Sequence, residues 1–526
     1  MAALLLAAGL AGLAGCGGGQ QQGEPVAPTP PVTPEPPVTP PVTPPVTPPV
    51  TPPVEPPVPP VRPPATAAIE VMDKCVAPRT GVFYPDRQGT LADELDFLRL
   101  YTDETYLWYK EVPKDLKQSS YTDPVAYFKD LKTPLLTASG QPKDKYHFTY
   151  TSAEWDDIEQ GVDLGYGVQW VRSSGSGSVP RVWHVSGVAP GTAAAFAGLQ
   201  RGDRLIGLDG LDFVNVTGAD NVARLNAALF PVAAGEQHRY VVERGARGER
   251  ELDVVMVASR VVTPPVPLAK VLSNGSAKVG YLLFNEHTGV AENQLIKAFA
   301  QFQAAKVSDL VIDLRYNGGG LVLVASELAY MVAGPAQTDG KIFERPVGSD
   351  RIAPRQPTAF RSKAVGFSSL DPAKSGTELP YLGLGRVTVL TGPGTCSASE
   401  MLINSLRGVD VEVNIVGGAT CGKPYSFAPA PNCGITYFMV QYQSYNQKGQ
   451  SDYADGFAPT CAANDDLAHA LGDPAEGQLS AALQYMASGS CPAAPARARA
   501  AGAAPAPLMT PVRTQGREIA VQPPAR

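Results

Sequence analysis

Between residues 90 and 135 apolar side chains fall at helical spacing. In LADELDFLRLYTDETYLWY, the residues Leu95, Phe97, Leu98, Tyr101, Tyr106 and Leu107 line one stripe. The acidic start suits a helix N-terminus, and DPVAYFKDL predicts a second short helix. The stripe reads as an internal packing face. From Gly161 to Ser259 the texture changes. LGYGVQWV is strand-like, and another strand precedes Pro190-Gly191. A short Ala-rich helix is then broken by Gly198-Leu199 and Gly202-Asp203. RLIGLDG and RELDVVMV predict strands and NVARLNAALF a helix. From Lys278 onward strands and helices alternate. KVGYLLFN, DLVIDLRYN, RVTVLTGPG and VEVNIVGG are apolar runs of the kind buried on both faces of a sheet. VAENQLIKAFAQF, GGGLVLVASELAYMV and SASEMLINSLRGV predict the helices between them, the second opening directly on three glycines. This alternation predicts right-handed crossovers on a mostly parallel sheet.

The two ends differ in composition from this body. Residues 1–16, MAALLLAAGLAGLAGC, form an apolar run too short to span a bilayer but suited to a signal-peptide core. Its close, Leu13-Ala14-Gly15-Cys16, resembles the lipobox of bacterial lipoproteins, although no Lys or Arg precedes the run. The resemblance implies cleavage before Cys16 and lipidation of it. Residues 17–66 read as a Pro-rich disordered linker, with Pro-Pro-Val-Thr repeated from Pro25 to Pro64. A polyproline spacer of this kind reaches roughly 120 Å, at about 3.1 Å per residue. Residues 492–526, rich in Ala, Pro and Arg, have no apolar period and read as a disordered tail. That tail holds five Arg and one Glu in a chain of net charge −7, which leaves the rest near −11. No basic stripe suited to nucleic acid appears elsewhere. Besides Cys16 there are six cysteines: Cys75, Cys396, Cys421, Cys433, Cys461 and Cys491. An even number in an oxidising compartment suggests disulfides. No CxxC or His/Cys ligand spacing occurs, so no metal site and no cofactor are expected.

The candidate chemistry lies in three stretches. VGGATCGKPYSF has the outline of a phosphate-binding loop, with Gly417, four residues, then Gly422-Lys423. Pro424 follows where such a loop needs Ser or Thr, and it has no N–H for an anion. A nucleotide is therefore not expected. GPGTCSASE places Ser397 at a strand-to-helix turn. Ser397 and Glu400 make a capping-box pattern, which alone explains them; a helix N-terminus also suits a nucleophile, because free N–H groups stabilise a developing oxyanion. Lys423 lies 26 residues later at the end of the next strand. In a parallel sheet those strand ends gather on one edge, so Ser397 and Lys423 are expected to meet there. A free lysine titrates near about 10.4; burial is expected to bring a catalytic one toward roughly 7 to 8. Third, the glycines of DLRYNGGG let backbone N–H groups approach a substrate oxygen, or simply make a tight turn. Of five histidines only His287 lies near a strand end of this sheet, the one position from which a Ser-His-Asp arrangement would draw its base.

Two resemblances organise these signals. Residues 159–260, on the run GTAAAFAGLQRGDRLIGLDG, resemble a PDZ domain of the bacterial protease-associated type. The resemblance implies that a peptide adds a strand to the sheet edge, with Gly165, Tyr166, Gly167 and Val168 as the loop that takes its terminal carboxylate. Residues 75 to 490 as a whole resemble the C-terminal processing, or tail-specific, serine peptidases. SxSE matches Ser397 to Glu400, GK matches Gly422-Lys423, and DLRxNxGG matches Asp313 to Gly320. The implied architecture is multidomain, α/β and α+β: a helical N-terminal domain (67–158), the PDZ domain and a crotonase-like α/β catalytic domain (261–491). The implied nucleophile is Ser397, the implied base Lys423, and the implied oxyanion hole the Ala398 N–H with an N–H of Gly318-Gly319. Many family members carry Gln four residues after the lysine, where this chain has Phe427; Gln441 and Gln443 are candidate substitutes. Cys396 and Cys421 flank the two residues, and read either as a bridge holding them together or as two small buried thiols; Cys433 and Cys461 could equally bridge. The reading that follows is an exported serine endopeptidase, lipid-anchored on the periplasmic face of the cell envelope. Gly17, in place of Asp, favours the outer membrane. Its expected partners are protein C-terminal tails and the membrane. The alternative is a binding lipoprotein whose dyad is dead.

Overall fold

The DLVID run, Asp309–Asp313, is buried at every position, as a strand covered on both faces must be. In the computed structural model it is the third strand of a six-stranded sheet. The order is Leu268–Asn274, Ala277–Leu283, Asp309–Asp313, Arg386–Thr391, Glu412–Gly417, Cys461–Ala462. The first pair is antiparallel and the rest parallel. Helices Ala291–Ala305, Val322–Ala333 and Ala398–Gly408 cover one face, with Phe299, Leu328 and Leu402 fully buried among them. Helix Gly477–Ser488 covers the other, through Leu479 and Ala482. The structure describes residues 67–173, 179–245, 248–368, 371–492 and 509–512, all within one compact unit. The signal-peptide, Cys16 and Pro-rich linker readings fall outside these residues.

The second sheet is antiparallel. It runs Arg250–Val257, Gln237–Arg244, Arg204–Leu208, Trp183–Val188, Val168–Ser173, and helix Ala219–Leu229 packs Leu225 and Ala228 against it. Its edge strand Val168–Ser173 leaves directly from the Gly165–Val168 turn.

The N-terminal region starts with a helix, Leu91–Thr105, capped by Thr90, whose side chain accepts from the Asp93 N–H while Asp93 reaches back. The helical reading of 90–135 holds only in pieces. The chain leaves the helix at Tyr106, makes two short 3-10 turns, and resumes at Pro124–Asp130. The reason is tertiary: Tyr106 is fully buried with its hydroxyl on Asp144 (2.6 Å), and the Leu107 N–H donates to Val440 O. Strand Phe148–Thr151 then pairs with Ile435–Phe438 from the far end of the chain. Leu98, Phe128, Tyr437 and Val440 share one core, and Cys75 is disulfide-bonded to Cys433. Residues 67–158 therefore pack as one body with part of the 261–491 segment.

Two further expectations are corrected. The helix after the three glycines begins at Val322, because Gly320 and Leu321 first bridge to His287, the Leu321 N–H donating to His287 O (2.7 Å). The tail 492–526, read as wholly disordered, contains a strand: Met509–Pro511 pairs antiparallel with Val168–Ser173. An open sheet edge offers unpaired N–H and C=O groups to any extended segment in reach.

Candidate active site

Ser397 follows the turn Gly392-Pro393-Gly394-Thr395-Cys396 and caps helix Ala398–Gly408. Its backbone lies at φ 57°, ψ −117°, a region non-glycine residues avoid. Such a residue costs about 1–3 kcal/mol and persists only where its surroundings over-determine it. Those surroundings are identifiable. Thr395 Oγ1 donates to Leu314 O (2.8 Å), and the Cys396 N–H donates to Asn317 O (3.1 Å), so the serine turn is fixed to the end of the DLRYN strand.

The lysine arrives from the adjacent strand end and is tied to the serine turn by three kinds of link. The Cys421 N–H donates to Thr395 O (3.0 Å). Cys396 and Cys421 form a disulfide, with Cα atoms 5.2 Å apart, the first of the two readings their flanking positions left open. Glu400 completes the join. Its buried carboxylate accepts from the Ser397 N–H (3.0 Å), the Gly422 N–H (2.8 Å), the Lys423 N–H (2.7 Å) and Thr420 Oγ1 (2.5 Å). Burial pushes its carboxyl up, and these donors pull the other way. The sequence shows Glu400 only as the reach-back residue of a capping box. Its hold on the lysine loop had no sequence signal, since Gly422 and Lys423 lie more than twenty positions away.

Lys423 is buried, 7% exposed. Its Nζ lies 4.0 Å from the Phe427 ring centroid and 5.2 Å from that of Tyr146, whose hydroxyl donates to Gly422 O (2.7 Å). Phe427, four residues after the lysine, thus touches it with a ring face. Neither suggested glutamine replaces it. Gln441 accepts from the Ala428 N–H and donates to Tyr101, and Gln443 donates to Ser451.

The glycine turn presses against the serine. A Cβ added at Gly319, where φ is +102°, would stand 2.7 Å from Ser397 Cβ and 2.9 Å from the Ala398 nitrogen. The Gly319 N–H itself donates to Asn317 Oδ1 (2.9 Å), so of the two glycine amides expected to face an oxyanion this one is already engaged. Asn317 is held in turn by donation to Phe284 O (2.9 Å) and by contact with His287 Nδ1 (3.1 Å). His287 is fully buried, and burial pushes it down to about 4, leaving a neutral ring. It touches Asn317, so its geometry is that of a group that orients the glycine turn. Gly319→Ala is expected to lower kcat by about 10²-fold, the scale of a 1 Å misplacement of reacting groups, with peptide binding retained; single-turnover kinetics checks this.

Beneath the turn, Arg315 of the DLR motif is buried and paired with Asp313, Asp465 and Glu476. Arg201, from the second sheet's domain, donates to Asp465 (2.6 Å) and to the Tyr316 hydroxyl (2.8 Å). Breaking such a buried group by removing one charge costs about 3–5 kcal/mol. Asp465, Glu476 and Arg201 carried no motif that placed them here.

The candidate peptide loop lies nearby. Gly167 has φ +79°, and a Cβ there would fall 2.2 Å from Thr192 Oγ1, so only glycine fits. Tyr166 is buried, its hydroxyl donating to Ala228 O, which makes it a packing residue of the loop. Gly165, Tyr166, Gly167 and Val168 line the same cavity of about 600 Å³ as Ser397, Lys423, Gly318 and Gly319.

A helical N-terminal region, an open antiparallel sheet with one helix packed on it, and a crotonase-like α/β domain holding a serine and a lysine give the fold of a PDZ-containing serine peptidase. Three family models match: Peptidase S41 N-terminal domain at 96–150, PDZ domain at 161–229 and Peptidase family S41 at 278–461. Over residues 96–150 and 278–461 the chain is thus similar to the S41 serine peptidases. It is similar to the carboxyl-terminal-processing protease of Picosynechococcus sp., 25% identical over 234 residues, covering 44% of this chain and 49% of that protein. It is also similar to the chloroplastic carboxyl-terminal-processing peptidase 1 of Arabidopsis thaliana, 27% identical over 283 residues, 53% of this chain and 51% of that one. The chain thus spans about half the length of the curated relatives it matches. The crystal structure of an S41 protease from Bacteroides fragilis aligns over 78% of this chain and 100% of its own, at 24% identity and a TM-score of 0.57, which supports the fold. The remaining disulfide joins Cys461 to Cys491, so the suggested Cys433–Cys461 bridge does not form. Three disulfides fit a protein outside the reducing cytoplasm.

Proposed function

We propose that this protein is a serine endopeptidase with a Ser397–Lys423 dyad, cutting exported proteins whose C-terminal tails are held by its PDZ domain. The observation that carries the reading is the joining of the serine turn and the lysine loop by Glu400 and the Cys396–Cys421 disulfide at one cavity. In the proposed reaction, neutral Lys423 takes the proton from Ser397 Oγ as that oxygen attacks the scissile carbonyl. The oxyanion is received by the Ala398 N–H, at the start of a helix, and by the Gly318 N–H. The lysine then gives its proton to the leaving amine, and water releases the acyl group by the reverse path. The Gly165–Val168 loop takes the tail carboxylate. The N-terminal readings extend this proposal: Cys16 carries the lipid, and the proline tract holds the body off the outer membrane.

A second reading, a tail-binding scaffold without activity, is favoured by one contact. The Phe427 ring face against Lys423 Nζ stabilises an ammonium by cation–π attraction, worth about 0.5–2 kcal/mol, and an ammonium is no base. A fluorophosphonate probe separates the two. Labelling of the wild type, lost in Ser397→Ala and Lys423→Ala, is expected for the peptidase. Absence of labelling with intact tail binding would establish the scaffold instead.

A further inference from the structure

The strand Met509–Pro511 lies on the edge of the PDZ sheet in the manner of a bound peptide. It pairs antiparallel with Val168–Ser173, with Met509 opposite Ser173, Thr510 opposite Arg172 and Pro511 opposite Val171, and the Val512 N–H donates to Trp170 O (2.9 Å). With rising residue number the segment therefore runs toward Val168 and the glycine loop. That is the polarity a tail must have if its carboxylate is to enter Gly165–Val168. Side chains fit as well as backbone. Val512 packs on the core formed by Trp170 and Tyr240, as the apolar residue of an augmenting strand does. Pro511 tolerates this edge because a proline removes a donor only on the side of the strand that faces away.

The same four residues reach the catalytic domain. A Cβ on Gly394, three residues before Ser397, would stand 2.5 Å from Pro511 Cγ, so the proline ring rests directly on the serine turn. Thr510, Pro511 and Val512 line the cavity that holds Ser397 and Lys423, and Met509 covers a small depression beside Tyr316 and Pro393. The segment spans the route that a tail seated on this edge would take toward the nucleophile.

We infer that residues 509–512 are a tethered ligand of this protein's own PDZ edge, one that an incoming substrate tail must displace before it reaches Ser397. The inference rests on the proposal that this edge binds tails. A tethered segment acts at an effective concentration on the order of millimolar. Even a weak segment, with Kd near about 100 μM, then lowers the apparent affinity for an outside peptide about ten-fold.

The test uses the full chain and a fluorescent peptide of sequence PLMTPVRT (residues 507–514) with a free carboxylate. Laid in the observed register, such a peptide ends opposite Val168. Binding is measured by anisotropy for wild type, Val512→Pro, which removes the N–H donated to Trp170 O, and Val512→Asp, which removes the apolar contact. Both variants are expected to bind the peptide about ten-fold more tightly than wild type, with unchanged Tm. Equal affinity across the three chains overturns the tethered ligand and leaves tail binding standing. Absence of binding to any of them overturns the tail-binding edge, and the inference with it. Because the readout is affinity and not turnover, an inactive dyad does not affect the result.

Discussion

Lys423→Met is expected to lower kcat by three to four orders of magnitude while leaving Tm and tail affinity close to wild type. General-base transfer contributes about 10²–10⁴-fold, and a serine hydroxyl at neutral pH has little nucleophilicity without it. Methionine separates chemistry from folding here. The lysine stem is buried and its amine lies against the Phe427 and Tyr146 rings. A thioether of similar length makes favourable contacts with just such ring faces. The backbone N–H of residue 423, which Glu400 accepts, is untouched by the change. Steady-state cleavage of a tailed substrate and a thermal melt check both halves. A melt that falls with activity would make Lys423 a structural residue.

Glu400→Ala is expected to cost both stability, by about 3–5 kcal/mol, and at least about 10² in kcat. The substitution leaves the buried amides of Ser397, Gly422 and Lys423 without their shared acceptor. Each orphaned buried donor costs about 1–3 kcal/mol, reduced where the loop relaxes toward water. Relaxation has its own consequence, since the serine turn sits in a conformation that its surroundings must impose. Glu400→Gln keeps an acceptor oxygen and is expected to recover most of the melting temperature but less of the rate. The two variants, compared by denaturant titration and kcat, separate the role of the acceptor from that of the charge.

The α/β body was legible because its strands are apolar throughout and its helices periodic, and the serine and lysine because each follows a strand end in a parallel sheet. The same placement left the pairing of Cys396 with Cys421 open against two buried thiols, and the structure shows the bridge. What local pattern did not carry was anything bound over long separations. The helix stripe at 91–107 does not reveal that Tyr106 leaves the helix to meet Asp144. DLR signals Asp313 and Arg315 but not Asp465, Glu476 or Arg201. The Ala/Pro/Arg composition after 492 masks Met509–Val512, because a strand added to an existing edge draws its hydrogen bonds from the partner and needs no amphipathic period of its own.

The Cys75–Cys433 link, and the shared core of Leu98, Phe128, Tyr437 and Val440, set an order of assembly. The first folded segment to emerge during synthesis lacks a third of its buried interior until residues near 440 have been made and delivered. The PDZ domain, whose core residues lie almost wholly between 166 and 258, has no such dependence. It closes first, while the N-terminal helices wait, exposed, for a late strand to seat them. A disulfide catalyst acting across the span of 358 residues is therefore expected to raise the yield of folded protein.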